Sequence, residues 1–481
     1  MNVKMTRYII GKMMGVEGIL LLIPMAVGML HGEASASYFL VTSGLLIVCF
    51  MIFGRKRPEN TVIYAKEGLV IVASAWIFWS IFGALPFFLS GTIPNYIDAF
   101  FETVSGFTTT GSTILTDIEI LPRGMLFWRS LTHWIGGMGV LVFVLVITSL
   151  DERNCMHLMR AEVPGPEADK LVPKARNTAQ LLYGMYFVLT AAEVILLLFG
   201  GLNLFDSVTH AFSTAGTGGF SSYNASVGHF NSAYVEGVIT VFMILFGINF
   251  NLYFFLILRD FKSVWKNEEL RTYLGIIAAA VAIIVINITP MYESIEKAFR
   301  YASFQVASVI TTTGFITADF NLWPELSKCV LLMLMVVGAS AGSTGGGIKV
   351  SRFLILLKSI KREIKQMLHP KSVTIVKVNG KKVKEETMRA VYVYFIAYIL
   401  IMIVSVLLVS INNFDFETTF TSVLTTMNNV GPGLGLVGAV ENFAKFTGFS
   451  KIILCLDMLV GRLEIFPFLM LFSPALWRKK F

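Results

Sequence analysis

The stretch "FTTTGSTIL", residues 107–115, sets three threonines, a glycine and a serine between strongly apolar runs. In a soluble chain such residues cap a helix or turn a loop. The surroundings here read as lipid-facing instead. Of 481 residues, 55% are hydrophobic and 15% charged, against roughly 25% charged in ordinary soluble domains. The mean hydropathy is +0.71. A bilayer core ~30 Å thick takes ~20 apolar residues per helix. Ten runs of that kind lie near 8–31, 37–54, 68–90, 123–150, 179–201, 235–258, 271–290, 325–348, 390–410 and 449–475. The composition predicts a polytopic membrane protein.

The opening MNVKMTRYIIGKMM leads into the second run without an A-x-A-like site, so no cleaved leader is expected. Cys49, Cys155, Cys329 and Cys455 follow no metal or redox spacing and read as small packing residues. The net charge of +8 is unevenly placed. Arg55, Lys56, Arg57 and Lys66 form one basic segment, and Arg153, Arg160, Lys170, Lys174 and Arg176 another. Arg259, Lys262, Lys266 and Arg271 form a third, and twelve Lys/Arg lie from Lys349 to Arg389. The opposite segments carry few, among them Arg123 and Lys445. The positive-inside rule then predicts cytoplasmic termini, as ten spans require. The basic pI reports topology, and nucleic acid is not an expected partner.

The threonine stretch has three counterparts. "SGFTTTG" ends at Gly111, "STAGTGG" at Gly219, "SVITTTG" at Gly314 and "TTMNNVG" at Gly431. Six residues before each glycine stand Ser105, Ser213, Ser308 and Thr425. Two residues before it stand Thr109, Thr217, Thr312 and Asn429, and directly before it Thr110, Gly218, Thr313 and Val430. The glycines are 108, 95 and 117 residues apart. Matches at such spacing mark an internal repeat. Each follows a segment too short to span, such as NYIDAFFETVSGF (95–107), which suits a re-entrant helix.

The expected fold is therefore an all-α membrane protein of four pseudo-repeated units, each a helix, a pore helix, a filter loop and a helix, around a central pore. Two extra N-terminal helices (1–60) stand outside the fourfold. The units are 61–165, 166–266, 267–365 and 390–481. A cytoplasmic linker, 366–389, carries TIVKVNGKKVKEE, in which Asn379-Gly380 signals a hairpin turn. Irregular backbone at membrane depth must be buried or line a cavity, and a ring of four loops meets that condition. Glycine can aim its carbonyl where other residues cannot, and rings of carbonyls replace the hydration shell of an alkali cation. Pore-helix C-termini pointing inward favour a cation. Asp117, Glu119, Asp319 and Glu325 at the expected outer mouth would concentrate cations.

VVGASAGSTGGGIKV (336–350) breaks the eighth run. Gly342, Gly345, Gly346 and Gly347, with Ser343 and Thr344, cannot hold a steady helix, and a broken helix at membrane depth is expected to line the conduction path. Two enzymatic patterns in it fail. Ser340 in G-x-S-x-G lacks a strand-turn-helix setting, and GSTGGGIK lacks G-K-[ST], because Ile348 precedes Lys349. In the last run Asp457, Arg462 and Glu464 are costly inside a membrane and must face the bundle or water. Arg462 is expected to pair with Asp457 or Glu464, or to bond the carbonyls of the glycine-rich loop. His133 and His210 read as hydrogen-bonded structural groups. The alternative function class is a proton- or sodium-coupled symporter using Glu193 or the Asp457/Arg462 group.

Together the four loops, HWIGGMGVLV (133–142), GSTGGGIKVSR (342–352), NNVGPGLG (428–435) and GRLEIFP (461–467) resemble the Trk/Ktr/HKT superfamily of potassium transporters. The resemblance covers essentially the whole chain and is nearest its bacterial TrkH membrane subunits, which have the two extra helices. It implies potassium as the ion, held by Thr109, Thr110, Gly111, Thr217, Gly218, Gly219, Thr312, Thr313, Gly314, Asn429, Val430 and Gly431. Glycine at all four filter positions resembles potassium-preferring members, whereas loops two and four depart from the threonine-rich pattern, so the filter is only approximately fourfold. The resemblance further implies an intramembrane gate made of Gly342, Ser343, Thr344, Gly345, Gly346, Gly347, Lys349 and Arg462. It implies a homodimer in the bacterial inner membrane, no organic cofactor on this chain, and a cytoplasmic TrkA-type regulatory subunit that binds NAD(H) or adenine nucleotides.

Overall fold

The computed structural model describes residues 2–139, 175–372 and 374–474. An outer group comprises α1 (Val3–Leu20), α2 (Leu22–Leu30) and α3 (Ala36–Phe53). Next come α4 (Ala65–Gly83), α5 (Leu85–Leu89), the short α6 (Tyr96–Phe107) and α7 (Arg123–Gly137). A second set is α8 (Ala175–Phe199), α9 (Leu204–Gly216), α10 (Ala233–Phe246) and α11 (Phe250–Ile257). After α12 (Phe261–Lys266), a third set is α13 (Glu268–Ile288), α14 (Ile295–Ile310), α15 (Glu325–Val337) and α16 (Val350–Leu368). A small hairpin, β1 (Lys377–Val378) and β2 (Lys381–Lys382), precedes the fourth set. That set is α17 (Glu385–Val409), α18 (Phe416–Asn428), α19 (Gly448–Arg462) and α20 (Ile465–Leu471).

Among the described residues, six helical stretches are long and apolar enough to cross a bilayer: Val3–Leu30, Ala36–Phe53, Lys66–Leu89, Asn177–Phe199, Glu268–Met291 and Glu385–Asn412. They match six of the ten expected runs, and the chain is a multi-pass membrane protein. The other four runs are not continuous helices. The run near 235–258 bends by 93° between α10 and α11, at Gly247–Asn249. The run near 325–348 is helical only to Val337, because Gly338 takes a φ of 69°. The run near 449–475 breaks at Glu464, whose φ is 59°. The run near 123–150 leaves the described residues after Gly139, and so do the expected basic residues Arg153 to Lys174.

The outer group is held by close backbone approach. A Cβ at Gly11 would overlap the backbone of Phe53 and Gly54, and one at Gly15 would press on the Phe50 ring. Small residues let helices meet in this way, and Ser43 Oγ adds a hydrogen bond to the Gly18 carbonyl at 2.6 Å. The Trp79 indole donates to the Met13 carbonyl at 3.2 Å and ties α4 to α1.

The short helices α6, α9, α14 and α18 share one start. Asn95, Asn203, Ser294 and Asp415 each accept a hydrogen bond from a first-turn amide, satisfying donors that a helix N-terminus leaves unpaired.

Candidate functional site: four glycine turns and a glycine-rich loop

All four short helices also end alike. The amide of Thr110 donates to the Ser105 carbonyl at 2.9 Å, Gly218 to Ser213 at 2.9 Å, Thr313 to Ser308 at 2.8 Å and Val430 to Thr425 at 3.0 Å. One residue earlier, Thr109, Thr217, Thr312 and Asn429 donate to Gly106, Thr214, Val309 and Thr426. This pair of bonds is a Schellman ending, which puts one residue in the left-handed region. Thr109, Thr217, Thr312 and Asn429 take it, with φ of 55°, 54°, 57° and 55°. Glycine or asparagine is the usual occupant; threonine, being β-branched, is strained there. The same strain at three equivalent positions marks a turn kept for something other than stability.

Two residues on, Gly111, Gly219, Gly314 and Gly431 have φ of 81°, 79°, 80° and 106°. Their surroundings close a ring. A Cβ at Gly111 would overlap the Gly218 carbonyl oxygen, one at Gly219 the Thr313 oxygen, and one at Gly314 the Val430 oxygen. At Gly431 it would lie 2.8 Å from the Thr110 oxygen. Each glycine thus faces the carbonyl that precedes the next glycine, in the cyclic order one, two, three, four, one. All four glycines line one cavity of ≈ 110 Å³. Thr109, Thr110, Thr217, Thr312, Thr313 and Asn429 at the ring are buried although polar.

Side chains brace the ring unequally. In loops one and three, hydroxyl pairs Thr108–Thr110 and Thr311–Thr313 meet at 2.7 Å. Loops two and four have no such pair, since their equivalents include Gly216, Gly218 and Val430. Asn429 Nδ2 instead donates to Thr110 Oγ1 and to the Met458 carbonyl, both at 2.9 Å, joining loops four and one to α19. Ser112 Oγ donates to the Gly431 carbonyl at 3.0 Å.

Behind the ring lies a buried ion pair, Arg129 Nε to Glu102 Oε1 at 2.9 Å, with both side chains no more than 1% exposed. Glu102 also accepts from Thr113 Oγ1 and from the Ile114 amide, and Arg129 Nη1 donates to the Ser221 carbonyl at 3.2 Å. The guanidinium lies 4.0 Å over the Phe220 ring. One charged pair therefore links the chain after loop one to the chain after loop two. Sequence reasoning missed it, although a charge within apolar "MLFWRSLTHW" was the available signal.

The glycine-rich loop runs from Gly338 to Lys349 and touches the base of the ring. Gly346 donates to Thr312 Oγ1 at 2.6 Å, and Gly347 to the Asn428 carbonyl at 3.1 Å. A Cβ at Gly345 would crowd the Thr311 carbonyl, and one at Gly346 would overlap the Asn428 carbonyl. The bend between α10 and α11 receives the other side. Ser340 donates to the Gly247 carbonyl and Thr344 to that of Phe246, while the Phe250 amide donates to the Gly342 carbonyl. Inside the loop, Lys349 Nζ bonds the Gly345 carbonyl.

Arg462 reaches this loop. Its Nη1 donates to the Thr344 carbonyl at 2.7 Å, and its Nη2 to the Gly136 and Gly137 carbonyls, both at 2.5 Å. Of the alternatives open in the sequence, the loop carbonyl is the partner observed. Asp457 accepts from Ser405 Oγ at 2.6 Å, and Glu464 pairs with Arg352. The Gly136 and Gly137 contacts, at the end of α7, have no sequence signature.

At the opposite face of the cavity, Asn224 donates to Asp117 at 2.9 Å and to Glu119 at 3.1 Å. Asp319 caps a short turn and Glu325 pairs with Lys328 at 3.0 Å, both locally. Burial and a hydrogen bond to Asp206 push the Tyr223 phenol up to about 12, so it stays a donor. His210 bonds the Asp206 carbonyl at 2.8 Å and Ser221 Oγ at 2.9 Å, as a structural histidine does. His133 stacks on Phe220 at 4.2 Å and fills the space a side chain at Gly218 would need. Glu193 is buried, and neither it nor Asp457 lines the cavity.

A family model described as a cation transport protein, TrkH, matches residues 39–479. The Trk system potassium uptake protein TrkH of Salmonella typhimurium is 38% identical over 466 residues, covering 95% of this chain and 96% of that one. The TrkH of Halomonas elongata is 34% identical over 485 residues and the full length of both. A crystal structure of the potassium transporter TrkH from Vibrio parahaemolyticus superposes with a TM-score of 0.88. It is 31% identical and covers 99% of this chain and 100% of that one.

Proposed function

The chain belongs to the TrkH family of cation transport proteins, and on that premise we propose that it takes up potassium through a pore whose selectivity filter is the ring of four glycine turns. The observation that carries the reading is the cyclic register of those turns. Glycine opposite carbonyl, four times around one cavity, gathers backbone oxygens where a dehydrated potassium ion could exchange its water shell for them. The oxygens belong to Thr110, Gly218, Thr313 and Val430 and to the glycines that follow them. Thr109, Thr217, Thr312 and Asn429 hold the turns open in a conformation that costs energy, which suits a site preorganised for an ion. The unlike braces of loops two and four make the filter less regular than a ring of identical chains.

The loop 342–347 then acts as the gate. It sits against Thr312 and Asn428 at the base of the filter, and Arg462 and Lys349 hold its carbonyls. The basic segments face the cytoplasm of a bacterial cell with both termini, following the positive-inside rule. Exposed lysines on the hairpin, Lys377, Lys381 and Lys382, suit the acidic surface of a TrkA-type regulatory subunit, which would bind the nucleotide. Two copies of the chain form the membrane unit, each with its own pore.

Reconstitution into planar bilayers tests the reading. Under opposed potassium and sodium gradients, currents should reverse near the potassium equilibrium potential, with no fixed ion stoichiometry. Reversal that follows a proton or sodium gradient instead would overturn the pore in favour of a symporter.

A further inference from the structure

The glycine-rich loop is gripped from a second side. Glu269, in the first turn of α13, accepts hydrogen bonds on one carboxylate oxygen from the Ala341 amide at 2.7 Å and the Ser351 amide at 3.2 Å. Those two amides stand at opposite ends of the loop. Glu269 is 6% exposed, so both bonds are shielded from water and strengthened by the low local dielectric. Glycines make the segment between them costly to order, and one acceptor shared by both ends keeps those ends together. Any movement that separates Ala341 from Ser351 breaks at least one of these bonds.

The neighbouring residue connects this grip to the basic end of the molecule. The amide of Glu268 is one of the unpaired donors at the start of α13, and Asn379, in the hairpin turn, accepts its hydrogen at 2.7 Å. Lys358 of α16 pairs with the Glu268 carboxylate and donates to the Lys377 carbonyl at 2.7 Å. The hairpin is itself seated on Ile355, Val376, Val383, Met388 and Val391, which form a small apolar cluster with α16 and α17. One hairpin therefore touches the first residue of the helix whose second residue holds the loop.

We propose that Glu269 is a positioning residue that clasps the loop shut, and that the hairpin sets the clasp through the Asn379–Glu268 hydrogen bond. The proposal rests on the reading of 342–347 as the gate. In the closed state the hairpin seats the start of α13, and Glu269 then holds both loop ends. When the hairpin is displaced, the Glu268 amide loses its acceptor and the clasp loosens.

Potassium flux into proteoliposomes containing the full-length protein tests this with four variants and one combination of two of them. Deletion of 343–346 tests the gate itself and should raise basal flux. Glu269→Ala should raise it about tenfold or more, as expected for loss of two buried hydrogen bonds at once. Glu269→Gln, whose amide oxygen can still accept both amides, should raise it less. Asn379→Ala changes only an exposed turn; it should raise flux in the parent protein and add nothing to Glu269→Ala. If the deletion raises flux while Glu269→Ala does not, the clasp is wrong and the gate stands. If the deletion itself leaves flux unchanged, the gate reading fails and the clasp with it. Should Glu269→Ala fail to fold, hydrogen exchange decides. Asn379→Ala should speed exchange at the Ala341 and Ser351 amides several-fold, and unchanged exchange there overturns the coupling.

Discussion

Gly111 shows how much a single position depends on its neighbour. From the sequence, a serine there could turn its hydroxyl inward and weaken potassium preference more than it abolishes conduction. The structure sets the Gly218 carbonyl where that Cβ would stand, so Gly111→Ser displaces a carbonyl of the next loop before its hydroxyl can act. Overpacking of this kind costs about 1–3 kcal/mol, or a roughly 5- to 150-fold effect, on top of the strain of a side chain at φ 81°. Flux and the potassium-to-sodium permeability ratio should therefore both fall. Gly219→Ser and Gly314→Ser should behave alike, and Gly431→Ser should be mildest, because its nearest carbonyl lies 2.8 Å away. Four serine variants of equal severity, at matched amounts in the membrane, would contradict the ring register. Arg129 is a residue whose role the sequence did not reveal. Arg129→Ala leaves Glu102 buried and unpaired, at a cost of about 3–5 kcal/mol, and should lower the thermal midpoint in detergent sharply. Replacing both partners, Arg129→Met with Glu102→Gln, should recover much of that loss; no recovery would mean that the pair acts through its other hydrogen bonds.

At the level of elements, helices that a hydropathy scan reads as continuous are broken where they approach the ring. The Gly247 bend and the Gly338–Lys349 loop each free backbone groups, and the two satisfy one another's. Arg462 is the junction, bonding Thr344 in the loop and Gly136 and Gly137 at the end of α7. Guanidinium offers five donors and keeps its charge, so a single side chain can bridge both elements. Arg462→Ala should raise basal potassium flux by about tenfold to a hundredfold, the expected effect of a lost charged hydrogen bond. Arg462→Lys should lie between, since an ammonium lacks the planar fork. In a protein lacking 343–346, Arg462→Ala should add little, because the lock then has nothing to hold. Independent effects in that double variant would make Arg462 a purely structural residue. Thr312→Val removes the acceptor for Gly346 while keeping the shape. It should raise flux in the same direction by about two- to tenfold, as fits a neutral hydrogen bond.

For the whole molecule, the uneven basic charge predicts which end faces the cytoplasm. A lone cysteine at Lys381→Cys, with Cys49, Cys155, Cys329 and Cys455 replaced, should react with an impermeant maleimide only after cells are opened. Labelling of intact cells would reverse the topology. Much of the architecture was legible in the chain because its signals are local. Twenty-residue apolar runs report membrane helices, Asn379-Gly380 reports the hairpin, and the aligned positions before each glycine turned out to be the carbonyl and the left-handed residue of one helix ending. Glycine at the ring is likewise local, because only it takes that φ without a side chain to place. The cyclic order of the loops, the Glu102–Arg129 pair, the contacts of Arg462 with Gly136 and Gly137 and the junction at Glu269 were not legible. They join residues far apart in the chain, and no periodicity encodes which distant carbonyl a donor will meet. The sequence by itself determined the membrane class, the repeated turns and their glycines, since composition and backbone sterics act residue by residue. Only the tertiary structure decided which loop faces which and what holds the glycine-rich segment in place, since a buried charge takes whichever partner the packed helices bring within reach.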